Sequence, residues 1–277
     1  TIFHDPKIKI TKQLGSGKLL SQLTKKLVVY DFRQNDLKNG GQGAPLAPIF
    51  HNVLANKINE KFELEFPIYI LNIGGITNVT GTINKRDLSN KKKIYAYDIG
   101  PGNCLIDEWI RNNSNKKYDK DGLLAGSGQT DKLILNQALE NFHIDCEYEK
   151  SLDIKNFDIF FAKGLSLENG AATITDYTAK IISDGIAYIR NFNQSQSSRW
   201  LVCGGGRKNK YLLNKIRSHF NELHLDPIDK YKIDGDFVES QAFAYLAIRT
   251  LKKMPISFPG TTRCKKPSTG GIIAKNF

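Results

Sequence analysis

The chain has 277 residues, 40% hydrophobic and 25% charged, with 40 Lys plus Arg against 28 Asp plus Glu for a formal charge of +12. That is the make-up of a soluble globular protein with a sizeable core in one large or two modest domains, and the basic residues are scattered over solvated surface rather than gathered as a nucleic-acid-binding face demands. No stretch reaches bilayer length, no signal peptide is read, and the four cysteines (Cys104, Cys146, Cys203, Cys264) have neither metal-site nor disulfide-framework spacing, so a reducing, cytoplasmic location is expected.

Taken in chain order, residues 17–24 suit a helix and Leu27–Tyr30 a strand. Asp31-Phe32-Arg33 follows that strand at a position where α/β sheets form ligand crevices, with Asp36 close behind. Arg33 reads as a phosphate or sugar contact, or equally as a surface arginine without a role. The run Gly40-Gly41-Gln42-Gly43-Ala44-Pro45-Leu46-Ala47-Pro48 dictates a fixed loop. Phe50, Val53, Leu54 and Ile58 mark the helix after it, on which His51 reads as a surface or satisfied polar residue.

Three glycine turns then follow strands. Ile68–Leu71 is a buried-strand signal leading into Asn72-Ile73-Gly74-Gly75-Ile76-Thr77-Asn78. Apolar residues resume at Val79, and Gly81–Ile83 suggest the returning strand of a hairpin whose amides cradle a phosphate. Lys91-Lys92-Lys93 is read as a solvated turn. Ile94–Tyr97 alternates as a short strand and Leu105–Arg111 starts a helix. Asp98-Ile99-Gly100-Pro101-Gly102-Asn103 therefore sets a carboxylate at a strand's carboxyl end, before a helix whose amides face an anion. Such a carboxylate can take a proton from water or a hydroxyl beside a bound phosphate. A structural Asx-turn is the alternative for a lone Asp-x-Gly.

Further on, Tyr118-Asp119-Lys120-Asp121-Gly122 reads as a turn or as a magnesium-binding pair of acids. Residues 130–142 suit a helix, 145–168 an irregular connection with an aromatic run from Phe157 to Phe161, and Gly170–Phe192 a long helix. After a loop at 193–198 comes the strand Trp200–Cys203. Gly204-Gly205-Gly206 follows it, where a flat ligand can lie on bare backbone at the N-terminus of a helix over 210–220. A last helix over 237–251 carries Glu239 in its first turn.

Strand hairpin, acidic turn, glycine-rich turn and terminal helix in this order resemble the actin, hexokinase and Hsp70 ATPase fold, a ribonuclease H-like α/β class. Within it, GGQGAPL at 40–46, NIGGITN at 72–78, DIGPGN at 98–103, YDKDG at 118–122 and CGGGRKN at 203–209 resemble the anhydro-N-acetylmuramic acid kinase family over nearly the whole chain. The resemblance implies an ATP-dependent kinase that opens 1,6-anhydro-N-acetylmuramic acid with water and phosphorylates O6 in cell-wall recycling. It makes Asp98 the general base. It gives the nucleotide to Asn72, Gly74, Gly75, Gly100, Gly102, Asn103, Gly204, Gly205 and Gly206, and the amino sugar to Arg33 and Glu239. Magnesium comes with the ATP, held by phosphates and water rather than by a protein metal site.

The family opens with a strand and a Gly-Thr-Ser-x-x-Asp-Gly loop, and nothing here matches it. The expected organisation is thus a remnant of the first actin-like domain at 1–35, an intact second domain at 36–253 and a returning C-terminal segment at 254–277. Half the phosphate clamp is expected to be missing, and strand 27–30 to be left as an unpaired edge. On that expectation residues 1–277 by themselves show little or no kinase activity with ATP, magnesium and the anhydro sugar. The alternatives carried forward are an inactive remnant with residual sugar or nucleotide binding and, from another class, a basic nucleic-acid-binding protein. Membrane partners are not expected; a homodimer is left open.

Overall fold

A computed structural model describes residues 2–86, 94–142, 152, 154–192 and 197–277. The lysine run at 91–93, Cys146 and most of the loop at 193–198 lie outside the described residues. The chain divides into two units: Thr1–Lys57, Thr80–Ala96 and Glu239–Phe277 form the first, and Ile58–Val79 with Tyr97–Val238 the second. Residues 36–57, 80–96 and 239–253, grouped with the second domain from sequence, thus share contacts with the first unit.

The first unit opens with strands β1 (Phe3–Asp5) and β2 (Ile10–Lys12), an antiparallel pair in the register His4 to Thr11. Helix α1 (Gly17–Thr24) starts where the Ser16 hydroxyl accepts the Leu19 amide, and it leaves Leu19, Leu20 and Leu23 exposed. Strand β3 (Val28–Tyr30) is paired on one side, in a two-stranded sheet. It pairs antiparallel with a strand near the other end of the chain, Val29 opposite Ile273. Short helix α2 (Gln34–Lys38) carries the buried Asp36, whose carboxylate accepts the Gly43 amide at 2.7 Å and the Thr262 hydroxyl at 2.7 Å. A Cβ at Gly41 would sit 2.2 Å from that carboxylate, which is why the 40–48 loop is glycine-rich and fixed. Helix α3 (Pro48–Phe62) leads out of the loop. On it His51 is buried and bonded to the Thr80 hydroxyl at 2.8 Å, and burial lowers its pKa to about 4. It is the satisfied polar residue that the sequence allowed.

Strands β4 (Ile68–Ile73), β5 (Ile76–Gly81) and β6 (Tyr95–Pro101) belong to a five-stranded sheet. Two expectations are corrected here. The returning strand starts at Ile76, not near Gly81, because only Gly74 and Gly75 are needed to turn the chain. Strand β6 continues through Asp98 to Pro101, whose carbonyl accepts the Thr77 hydroxyl at 3.0 Å, so Asp98 lies inside the strand and not at its carboxyl end.

Helices α4 (Cys104–Asn113), α5 (Leu123–Ser127) and α6 (Lys132–Glu140) pack around the long helix α7 (Leu167–Phe192). Gly170 and Gly185 let α7 come close, since a Cβ at either would meet Trp109 at 2.1 Å or Ile99 at 2.5 Å. Strand β7 (Arg199–Cys203), helix α8 (Lys210–Ser218) and strand β8 (His224–Pro227) follow. The sheet order is β6-β5-β4-β7-β8, with β4 and β7 parallel in the register Asn72 to Cys203, and β7 parallel to β8. It is a mixed sheet of an α/β fold. Trp200 is fully buried in β7 and stacks on Tyr69 at 4.4 Å.

The chain ends in the first unit with most of helix α9 (Val238–Leu251), helix α10 (Pro259–Thr262) and strand β9 (Ile272–Ala274), the partner of β3. Leu46, Leu246 and Ile256 form a small core there with Phe32 and Ile49 against it. No described helix is long and apolar enough to cross a membrane.

Candidate active site

The sheet order brings the ends of β6, β4 and β7 to one side, and the three glycine turns meet there. The Gly74–Gly75 turn and the start of α4 are tied by main-chain bonds: Gly102 N donates to Gly75 O at 2.8 Å, Asn103 N to Gly74 O at 2.7 Å and Cys104 N to Gly75 O at 3.2 Å. The Asn103 side-chain amide adds a bond to Gly74 O at 3.2 Å. Those three amides, of which only that of Cys104 belongs to the helix, are therefore spent on the neighbouring turn and do not face an anion. Gly102 is required by the tie itself, because a Cβ there would lie 2.3 Å from Gly74 O. Gly100 serves packing as well: the space of its missing Cβ is filled by Ile181 of α7, 2.5 Å away. Gly74 is half-buried and Gly75 exposed, with no contact tighter than ordinary packing.

The triple glycine after β7 is not uniform. Gly204 has φ +77° and ψ 174°, and a Cβ there would come within 2.5 Å of Asn72 Oδ1 and 2.6 Å of Ile73 O. At Gly206 a Cβ would meet Ile73 Cγ2 at 2.2 Å. These two glycines let the turn lie on the end of β4. Gly205 alone points into open space, with Asn103 Nδ2 at 3.6 Å as its neighbour.

Arg207, which sequence reasoning passed over, holds this turn in place. Its side chain is 3% exposed, and its Nη1 donates to Gly204 O at 3.1 Å and to Asp236 Oδ1 at 2.9 Å. Nε donates to Asp229 Oδ2 at 2.7 Å. Burial works against the charge, but the bonds to Asp229 and Asp236 prevail and keep Arg207 above its ordinary value. The only hint in the sequence was an arginine directly after three glycines, with Asp229, Asp234 and Asp236 some twenty to thirty residues on.

Arg207→Met should destabilise the protein by about 1–2 kcal/mol, less than the full worth of its charged bonds because the partner carboxylates are half-exposed and rehydrate. Arg207→Lys should recover only part of this, since one ammonium cannot reach Asp229, Asp236 and Gly204 O together. Urea unfolding midpoints check both, and an unchanged midpoint for Arg207→Met would remove the clamp. The clamp also has a defined acid limit. Asp236 is drawn down from 3.8 to about 2 by its bonds to Arg207 and Lys208, so its contribution is complete above 3.8 and disappears as pH falls through about 2.

A cavity of about 430 Å³ opens beside Gly205. Its other walls are Asn103, Ile106 and Asp107 from α4, Lys208 and Asn209 from the start of α8, and the 118–121 segment. Asp119 is buried, and its two oxygens accept the Leu124 and Ala125 amides at 2.9 and 3.0 Å, so it fastens α5. Of the two sequence readings of this segment, a turn and a magnesium site, the geometry gives Asp119 the structural role. Among the described residues no group of three or more His, Cys, Asp or Glu is placed to hold a metal ion.

Asp98 accepts the Leu152 amide at 2.8 Å on Oδ2, a bond that orients the carboxylate. Arg33 and Glu239 both belong to the first unit and attract one another; burial lowers the Arg33 pKa, and the Glu239 charge opposes that shift. The described cysteines, Cys104, Cys203 and Cys264, are buried and form no disulfide with one another. Burial raises the pKa of Cys104 and of Cys264, so each stays a protonated thiol.

A sequence profile described as anhydro-N-acetylmuramic acid kinase matches residues 1–276. A protein of that name from Pelagibacter ubique is 51% identical over 279 residues, covering 100% of this chain and 72% of its own length. Others named likewise, from Methylobacterium nodulans and Rhodospirillum rubrum, are each 38% identical and cover 99% and 98% of this chain and 70% and 68% of their own lengths.

Proposed function

The chain belongs to the anhydro-N-acetylmuramic acid kinase family, and on that premise we propose that it uses ATP and water to convert 1,6-anhydro-N-acetylmuramic acid to N-acetylmuramic acid 6-phosphate in cell-wall recycling. The observation that carries this reading is the interlock of three glycine turns beside a cavity, with Asp98 on the strand that enters one of them.

In the proposed reaction Asp98 takes a proton from a water molecule attacking the anomeric carbon. The new C1–O bond forms as the C1–O6 bond of the anhydro bridge breaks. The released O6 attacks the γ-phosphorus, the O6–P bond forms, and ADP leaves with the bridging oxygen. Such a transfer needs position and charge stabilisation more than covalent help. The bond from the Leu152 amide fits that role, since it holds the Asp98 carboxylate in one orientation.

Asn72, Gly74 and Gly75 hold the phosphates on this reading, with Gly102 and Asn103 holding that turn in shape. Gly205 offers bare backbone to the adenosine, with Gly204 and Gly206 seating it. Arg33 and Glu239 of the first unit bind the amino sugar. Magnesium travels with the phosphates and water on this reading. The reading includes an actin-like ATPase fold for the whole and a cytoplasmic location.

Incubation with ATP, magnesium and the anhydro sugar, followed by detection of the 6-phosphate, tests the reaction; ATP consumed without 6-phosphate, or phosphate transferred to another position of the sugar, would overturn it. Gly205→Val tests the nucleotide position. A side chain there has room in the fold but fills the cavity wall, so ATP affinity measured by calorimetry should fall roughly tenfold or more while the melting temperature stays. Unchanged affinity would put the nucleotide elsewhere.

A further inference from the structure

We propose that the Asp107 carboxylate is the acceptor that binds the hydrogen-bond donors of the nucleoside, either the ribose hydroxyls or the exocyclic amine of the base. This rests on the reading that the nucleotide occupies the cavity beside Gly205.

The case rests on comparing the polar groups that line the cavity, of which Tyr118, Lys120 and Asp121 are exposed and hydrated without a ligand. The Asn103 Nδ2 donates to Gly74 O, which fixes its amide against that turn, and Asn209 Oδ1 accepts the Leu212 amide at 2.9 Å as the cap of α8. Lys208 is paired with Asp236 at 2.6 Å, and both oxygens of Asp119 accept amides of α5. Asp107 is half-buried on the cavity wall, and among the described residues no donor bonds its carboxylate. A carboxylate so placed is costly to leave without donors. A ligand bearing hydroxyls or an amine supplies them.

Its position along α4 agrees. Asn103 borders the phosphate turn, and Asp107 is four residues on, on the same helix face and about 6 Å further along the axis. That is the direction from phosphates to nucleoside. Burial raises the Asp107 pKa to about 6; Arg111 lowers it and Asp119 raises it further. At neutral pH the group is mostly ionised and accepts only.

The test is calorimetric titration of the 277-residue chain and of Asp107→Ala with ATP, 2′-deoxy-ATP, 3′-deoxy-ATP and purine riboside triphosphate, which lacks the amine. The parent should prefer ATP over at least one analogue. Asp107→Ala should lose roughly tenfold to a hundredfold in ATP affinity and bind that analogue as well as it binds ATP. Loss of discrimination against a deoxy sugar assigns the ribose, and loss against the purine riboside assigns the base amine. A structural role for Asp107 would weaken all four nucleotides alike, and that result, or an unchanged ATP affinity, would overturn the proposal. Asp107→Asn, which preserves shape and one acceptor, should fall between parent and Asp107→Ala and guards against misfolding of the latter. Should the parent bind none of the nucleotides, the cavity reading itself would fall, and this inference with it.

Discussion

Asp98→Asn should lower turnover of ATP and anhydro sugar by about a hundredfold or more, the usual weight of a positioned general base. The amide keeps the shape of the side chain, and its oxygen can still accept the Leu152 amide, so the strand and its surroundings are preserved. What it cannot do is take the proton from the attacking water. ATP affinity should therefore stay within about twofold of the parent, because the step removed is chemical and not one of binding. ADP release, followed in a coupled assay, gives turnover, and calorimetry gives affinity. Equal turnover in variant and parent would return Asp98 to a purely structural place in β6. A loss of affinity equal to the loss of turnover would mean that it binds ligand instead.

The second large effect is on stability, at Gly204. Its backbone lies in a region that only glycine populates readily, and the two atoms nearest an added Cβ include the carbonyl of Ile73, which the sheet holds in place. Gly204→Ala should cost about 3 kcal/mol or more, from roughly 1–3 kcal/mol of backbone strain and a steric clash of similar size. Gly205→Ala, one residue along, should cost under about 1 kcal/mol, because its Cβ enters open space with 3.6 Å to Asn103 Nδ2. Urea unfolding of both variants makes the comparison internal. Equal midpoints would show that the β7–α8 turn does not rest on β4 as described. If Gly204→Ala fails to accumulate as folded protein while Gly205→Ala behaves as the parent, the contrast stands.

Much of this was legible along the chain. Buried strands at 68–71 and 200–203, the helices at 17–24, 170–192 and 210–220, and the glycine turns after strands were read from apolar periodicity and from turn chemistry. The words around Gly74, Asp98 and Gly204 pointed to the family that the profile and the relatives identify. Element boundaries are set by pairing partners more than by local preference. The chain needs only Gly74 and Gly75 to reverse, and no residue between Asp98 and Pro101 breaks a strand that has a partner to pair with. Strand β9 was missed because Ile272-Ile273-Ala274 is too short to show a period, and its existence depends on β3, more than two hundred residues away in the chain.

The sequence alone determined which residue types are present, where the chain must turn and which family it belongs to, since these follow from local preference and from wording. It could not tell one glycine from another. A glycine records that a Cβ is absent, whereas the neighbour occupying its place comes from another part of the chain: Gly100 makes room for Ile181, Gly102 for Gly74 O and Gly204 for Asn72 and Ile73, while Gly205 alone faces the cavity. The same holds for charge. Asp107, Asp119 and Arg207 are ordinary polar residues in sequence. Only the tertiary structure gives Asp119 two amides and Arg207 two carboxylates with a carbonyl, and leaves Asp107 facing the cavity, because hydrogen-bond partners are set by proximity in space and not by order along the chain.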